Sequence, residues 1–217
     1  MPSPEVKTIL RPLLFSQGLR GRLEYYVKFR NQAWLEQVST LLPPAGLILD
    51  YGCGDGIFTL YLKLRHPARQ LVGFDVDRTK ISRAKDLRRE GLWFRERLDD
   101  VEEDCPQPFD ALLCYDVLHH IHPRHHPAVA DFASRVLAPG GTLLLKEESP
   151  LPRFKAMCSA AVDNLLTWSG VTTGSRVRFF PAEYYRGLFP GFSWREIPCR
   201  KWEFRATPLL LYGRRTS

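Results

Sequence analysis

The stretch Leu47-Ile48-Leu49-Asp50-Tyr51-Gly52-Cys53-Gly54-Asp55-Gly56 runs from an apolar segment through a carboxylate into three glycines at alternate positions. Leu47 to Leu49 suit a parallel strand covered on both faces, and Asp50 stands where that strand ends. Gly52, Gly54 and Gly56 lack a Cβ, so the turn can adopt positive φ and let a ligand reach the main chain. Ile57 to Leu64, IFTLYLKL, reads as the helix that follows. Strand, glycine turn and helix in this order mark the ligand crevice of open α/β sheets, outside the carboxyl ends of the strands. Dinucleotides and other adenosine compounds are the ligands that fit.

Charge separates these ligands. A pyrophosphate prefers a helix N-terminus free of anions, whereas Asp50 and Asp55 bracket the glycines and favour a cation. The dinucleotide fingerprint G-x-G-x-x-G is absent, and the chain carries G-x-G-x-G instead. The run D-x-G-C-G-x-G resembles the first motif of the class I S-adenosylmethionine-dependent methyltransferases, whose cofactor bears a sulfonium and an ammonium group. The resemblance implies S-adenosyl-L-methionine as cofactor, with Asp50, Gly52, Cys53 and Gly54 in its binding turn. It also implies an α/β fold: a Rossmann-like doubly wound sheet, mostly parallel with an antiparallel C-terminal strand, and helices on both faces.

Downstream segments extend the likeness. Leu71-Val72-Gly73-Phe74-Asp75 reads as a second strand ending in an acid, 23 residues beyond Gly52, the expected place for a ribose-binding carboxylate. By resemblance Asp75 accepts hydrogen bonds from the two ribose hydroxyls, and Val76 lies against the adenine. Asp77 suits the cap of the next helix. After a third strand at Leu92 to Phe94, Asp99 and Asp100 fall where the family places a residue near the adenine amino group, and Asp99 is favoured. Phe109 to Cys114 resembles the fourth strand, with Tyr115 at its end completing the implied cofactor-binding set. Val136 to Gly141, followed by Thr142 to Leu145, resembles the turn into the fifth. The likeness therefore runs in order from Leu47 to Glu147.

Composition fits one domain with additions. The chain has 217 residues, 44% of them hydrophobic, enough for one sizeable core. Residues 1–42 read as an N-terminal helical extension or lid, and 43–217 as the main domain with a substrate-cover insertion around 150–180. No secretory apolar region and no run near the ~18 apolar residues of a membrane span occurs, so a cytoplasmic location is expected. The cysteines at 53, 105, 114, 158 and 199 form no C-x-x-C pair, which argues against a disulfide framework or zinc knuckle.

A net charge of +7, from 31 Lys+Arg against 24 Asp+Glu, suits an anionic partner such as RNA, acidic lipid or an acyl carrier. Nucleic acid is the less favoured partner, because the basic groups at Arg11 to Arg30, Arg83 to Arg97 and Arg214-Arg215 equally suit solvated helix faces and a tail. Apolar residues at 19, 23, 26, 27, 34, 38 and 41 follow helical spacing and predict an amphipathic entry helix. The segment before it, KTILRPLLFSQGLRGR, is broken by Pro12 and Gly18 and suits a lid or a membrane-surface contact.

Past Glu147 the pattern departs from the shared core. Phe154 to Trp168 reads as an inserted helix, and Pro181 and Glu183 open another. Tyr184, Tyr185, Phe189, Phe192, Trp194, Trp202 and Phe204 either line an apolar pocket for a small apolar or aromatic acceptor or pack the last strands. Those strands are expected at Ser193 to Phe204 and Thr207 to Tyr212, as an antiparallel pair.

Chemistry belongs at the end of the fourth strand, where the chain reads Tyr115-Asp116-Val117-Leu118-His119-His120. The N/D-P-P-Y/F clamp of methyltransferases acting on planar amino groups is missing. The L-H-H segment resembles the small-molecule branch that includes quinone-biosynthetic enzymes, which implies methyl transfer to an oxygen, or less readily a carbon or nitrogen, of a small acceptor. Such transfer needs alignment at about 3 to 3.5 Å and proton removal. His119 and His120 are candidate bases, and Glu147 or Glu148 is the second candidate. HHIHPRHH holds five of the six histidines, yet Pro123 and Pro127 interrupt any helix that would align them and no acid or cysteine completes a ligand set, so no metal is expected. An RNA methyltransferase and a catalytically silent cofactor-binding scaffold are the alternatives to a small-molecule enzyme.

Overall fold

A computed structural model describes residues 32–168, 174, 176–198 and 208–216. The first described helix, α1 (Gln32–Leu41), leads into β1 (Gly46–Tyr51), α2 (Ile57–Arg65), β2 (Arg69–Phe74), α3 (Arg78–Lys85), β3 (Leu92–Arg95), α4 (Leu98–Asp104) and β4 (Phe109–Tyr115). Two 3₁₀ turns, Leu118–His120 and Pro123–His125, precede α5 (His126–Val136) and β5 (Leu137–Glu148). The chain continues through α6 (Arg153–Trp168), α7 (Ala182–Leu188), β6 (Phe192–Glu196) and β7 (Pro208–Arg215).

Among the described residues the strands form one seven-stranded sheet in the order β3-β2-β1-β4-β5-β7-β6. β1 pairs in parallel with both β2 and β4, so the strand order reverses beside β1 and opens a crevice at its carboxyl end. β7 runs antiparallel between β5 and β6, as expected of the C-terminal pair. The fifth strand is longer than its Thr142 to Leu145 core. It begins at Leu137, and a register shift between Phe109 and Ala111 absorbs the Pro139-Gly140-Gly141 step.

Central strands are apolar on both sides because helices cover both faces. Ile48, Leu71, Leu113 and Leu144 pack with α1, α2 and α3, while Leu49, Val72, Leu112 and Leu145 pack with α4, α5 and α7. Arg69 is fully buried beneath α1, donating to Ser39 O, Ser39 Oγ, Leu42 O, Pro43 O and Leu62 O. That one guanidinium satisfies the carboxyl end of α1 and locks it to β2. Asp77 caps α3 as expected, accepting from Thr79 N and Lys80 N at 3.0 and 3.2 Å.

The aromatic residues of α7 and β6 serve the core. Tyr185 and Phe189 are fully buried and Phe192 nearly so, stacked against β5 and α5 with Tyr184 and Trp194 at their edge. Trp202 and Phe204, and residues 1–31 of the N-terminal extension, lie outside the described residues. Among the described residues no helix is long and apolar enough to cross a membrane.

Candidate active site

The carboxyl ends of β1 and β2 are tied together through the glycine turn. Gly52 N–H and Cys53 N–H donate to Phe74 O at 2.7 and 2.9 Å, and Gly54 N–H donates to Asp75 Oδ2 at 2.9 Å. Asp77 N–H fixes the other oxygen, Asp75 Oδ1, at 2.9 Å. Each carboxylate oxygen keeps further acceptor capacity for a ligand hydroxyl.

The glycines are not equivalent. A Cβ on Gly52 would stand 2.5 Å from Val117, and one on Gly56 would stand 2.6 Å from Phe94, so both are required by protein packing. Gly54 has φ of +56° and a Cβ there would meet nothing within 4 Å. Its main chain is bare and faces open space beside Asp75, a cradle for a ligand that approaches backbone closely. Val76, the next residue after Asp75, is 69% exposed, an apolar surface placed where a planar base can cover it.

Electrostatics at the turn rest on fewer acids than the sequence suggests. Asp55 is ion-paired with Arg83 at 2.6 Å, so it does not act as an open anion. Asp50 is 2% exposed and accepts from Thr59 Oγ1 at 2.6 Å. Burial, with Asp50 and Asp75 adding to it, holds the Cys53 thiol well above its ordinary value, so it remains a neutral filler under the turn. Asp99 stands in the first turn of α4 with its side chain 71% exposed and bonded to Arg97 at 2.8 Å. Tyr115 closes β4 with its ring 4.8 Å from Phe58 and Lys146 Nζ 5.1 Å over its face.

Across the crevice, the ends of β4 and β5 bring His119 and Glu147 together. His119 Nδ1 lies 2.5 Å from Glu147 Oε2, and the two residues are 3% and 1% exposed. Glu147 Oε1 accepts from Leu118 N at 2.8 Å and Val117 N at 3.2 Å, so one carboxylate orients both the imidazole and the turn that carries it. Burial opposes the imidazolium, but the Glu147 carboxylate outweighs it and raises the His119 pKa above 6.5. His120 differs: burial and the neighbouring His119 push it down to about 4, too weak a base for neutral pH.

Alternation along β5 sends Lys146 and Glu148 to the opposite face from Glu147. Lys146 Nζ bonds both oxygens of Asp116 at 2.5 and 2.6 Å. Although burial opposes its charge, Asp116 keeps the lysine protonated, with its pKa raised. Asp116 has φ of +55°, a backbone state that few residues other than glycine, asparagine and aspartate adopt, and its N–H donates to Lys146 O at 2.8 Å. Glu148 is 5% exposed and its pKa is raised by burial and then by Asp116. Sequence reasoning missed the Asp116–Lys146 pair; its only trace was a lysine inside the apolar strand Thr142 to Glu148.

The histidine run divides in the same way. His126 is fully buried, with Nδ1 2.7 Å from Tyr184 Oη and Nε2 2.9 Å from Leu118 O, so it fastens the His119 turn to α7. His122 accepts from Arg124 N at 3.3 Å, and His125 Nε2 accepts from Arg124 Nε at 2.9 Å.

Residues 24–194 match a family model described as a methyltransferase domain. The chain belongs to the class I S-adenosylmethionine-dependent methyltransferases. Among curated relatives, the ubiquinone biosynthesis O-methyltransferase of Xylella fastidiosa is 28% identical over 119 residues, covering 53% of this chain and 47% of that protein. The ribosomal RNA small subunit methyltransferase C of Pseudomonas aeruginosa is 29% identical over 149 residues, covering 67% of this chain and 42% of that one. The chain thus spans less than half the length of either relative. An O-methyltransferase family protein from Burkholderia thailandensis superposes with a TM-score of 0.65 at 20% identity, covering 94% of the present chain and 62% of that one. That likeness shows a shared fold. The cofactor of this family is S-adenosyl-L-methionine, and the open backbone at Gly54, the anchored Asp75 carboxylate and exposed Val76 fit it.

Proposed function

We propose that this methyltransferase transfers a methyl group to the oxygen of a small, mostly apolar acceptor, with His119 as the base. The observation that carries this reading is the buried His119–Glu147 pair at the ends of β4 and β5, opposite the glycine turn. When bound, S-adenosyl-L-methionine supplies an electrophilic methyl group on a sulfonium. Asp75, Gly54 and Val76 would hold and orient it, and Asp50 would place negative potential behind the turn.

His119 Nδ1 is taken by Glu147, so Nε2 is the nitrogen left for an acceptor. An acceptor hydroxyl that loses its proton to Nε2 becomes the attacking oxygen. The acceptor oxygen would then take the methyl group that bound S-adenosyl-L-methionine supplies, and the proton would remain on the His119 imidazole. Glu147 stabilises that imidazolium and fixes the tautomer, as a carboxylate does behind any histidine base. Proton removal of this kind contributes about 10² to 10⁴ in rate.

An RNA acceptor is the second reading, favoured by the net charge of +7 and by likeness to the ribosomal RNA enzyme. Against it, Arg65, Arg83, Arg95, Arg97, Arg135 and Arg186 are each engaged with an acid, and Arg69 is buried. RNA retention measured across a salt series separates the two. A steep loss of affinity with salt would favour RNA, and no retention at low ionic strength would remove it.

A further inference from the structure

Helix α6 is amphipathic with its apolar side turned outward. Leu151 before it is 61% exposed, and Phe154, Met157 and Trp168 on it are 76%, 70% and 85% exposed. At about 100° per residue, Phe154, Met157, Cys158, Ala161 and Trp168 share an arc of roughly 100°, and all five are exposed. Ala156 and Ser159, on the opposite side, are 8% and 3% exposed. Asp163 lies on that inner side as well, near enough to raise the Glu148 pKa. Large apolar side chains clustered in water mark an interaction surface rather than scattered exposure.

Charge identifies the partner. Arg153 and Lys155 fall on the two flanks of the apolar arc, and Arg176 and Arg178 follow in the segment whose Val177 N–H bonds Asn164 Oδ1 at 2.9 Å. From Ser149 to Phe180 those four cations face a single acid, Asp163, which is on the inner side. A second copy of the same face would oppose cations to cations. An anionic lipid surface accepts both the apolar arc and its basic flanks, the pattern of a helix lying in the plane of a membrane interface. We infer that the outer face of α6 docks this methyltransferase onto anionic lipid, with Phe154, Met157 and Trp168 in the interface and Arg153, Arg176 and Arg178 on headgroups. Ser159 interacts with Glu148 on the inner side of α6, so docking would place the end of β5 one helix away from the bilayer. That consequence for acceptor delivery rests on the proposed apolar acceptor; the docking itself does not.

The test is flotation of the full chain with vesicles of phosphatidylcholine alone and of equal parts phosphatidylcholine and phosphatidylglycerol. Expected is binding to the anionic vesicles that weakens with salt, and a loss of about tenfold or more for Phe154→Gln/Met157→Gln. S-adenosylhomocysteine binding by calorimetry should be unchanged in that variant, which shows that it is folded and keeps the cofactor reading separate. Absence of flotation at every composition, or flotation equal in the variant, overturns the inference. So does a dimer in sedimentation equilibrium that Phe154→Gln/Met157→Gln dissolves, since the face then belongs to a second copy.

Discussion

Glu147 holds His119 from one carboxylate oxygen and the Val117 and Leu118 amides from the other, so a single β5 residue sets both the direction of the imidazole and the shape of its turn. His119→Gln removes the base while leaving the glycine turn untouched. Turnover is expected to fall by about 10² to 10⁴, with S-adenosylhomocysteine affinity within about twofold of the parent by calorimetry.

Glu147 raises the His119 pKa above 6.5, and the base acts only when deprotonated. The rate should therefore rise with pH through a midpoint above that value, and Glu147→Gln should move the midpoint down. The same shift has a sign for stability. A raised folded pKa stabilises the protein fully below the unfolded value near 6.5 and loses that contribution as pH climbs through the folded pKa. Thermal unfolding scans across this window should show the pH-dependent part shrink in Glu147→Gln. Glu147→Ala, which strands two amides and the imidazole, should cost about 1–3 kcal/mol.

Gly52→Ala and Gly54→Ala distinguish packing from ligand approach. Each pays roughly 1–2 kcal/mol for a left-handed backbone, but only the Gly52 methyl strikes Val117. Gly52→Ala should lower the melting temperature further. Gly54→Ala should fold and lose cofactor affinity by more than its small stability change explains.

Asp75→Ala removes the acceptor of two amides and the implied ribose contact together. A loss of about tenfold or more in S-adenosylhomocysteine affinity is expected from unpaired hydrogen bonds of this kind. Asp99→Ala should change that affinity little, because Asp99 is exposed and engaged with Arg97.

His126→Leu should destabilise by about 1–3 kcal/mol, because Tyr184 Oη and the carbonyls of Leu118 and Ile121 lose a buried partner. Its folded fraction should also show reduced turnover, since His126 steadies the His119 turn. Dialysis against a chelator should leave the parent's rate unchanged.

Much of the fold was legible because the strands carry their own punctuation. Apolar runs ending in Asp50 and Asp75, and the glycine turn between β1 and α2, are local signals. Pairing across distant segments is not. Nothing in the sequence joins His119 to Glu147, a pairing made only when β5 places Glu147, 1% exposed, against the β4 end. Asp55 illustrates the converse. Its charge beside the glycines looked available, and Arg83, 28 residues away, takes it. The aromatic concentration after Tyr184 was readable as pocket or core, and burial puts Tyr185, Phe189 and Phe192 in the core.

The central claim is methyl transfer to a small hydroxyl acceptor by His119. It is tested most directly by incubating the parent chain and His119→Gln with methyl-labelled S-adenosylmethionine and cell extract, then locating the label by mass spectrometry. The proposal predicts label on an oxygen of a solvent-extractable small molecule with the parent, and at least about a hundredfold less with His119→Gln. Label in RNA, or equal labelling by the two proteins, would contradict it.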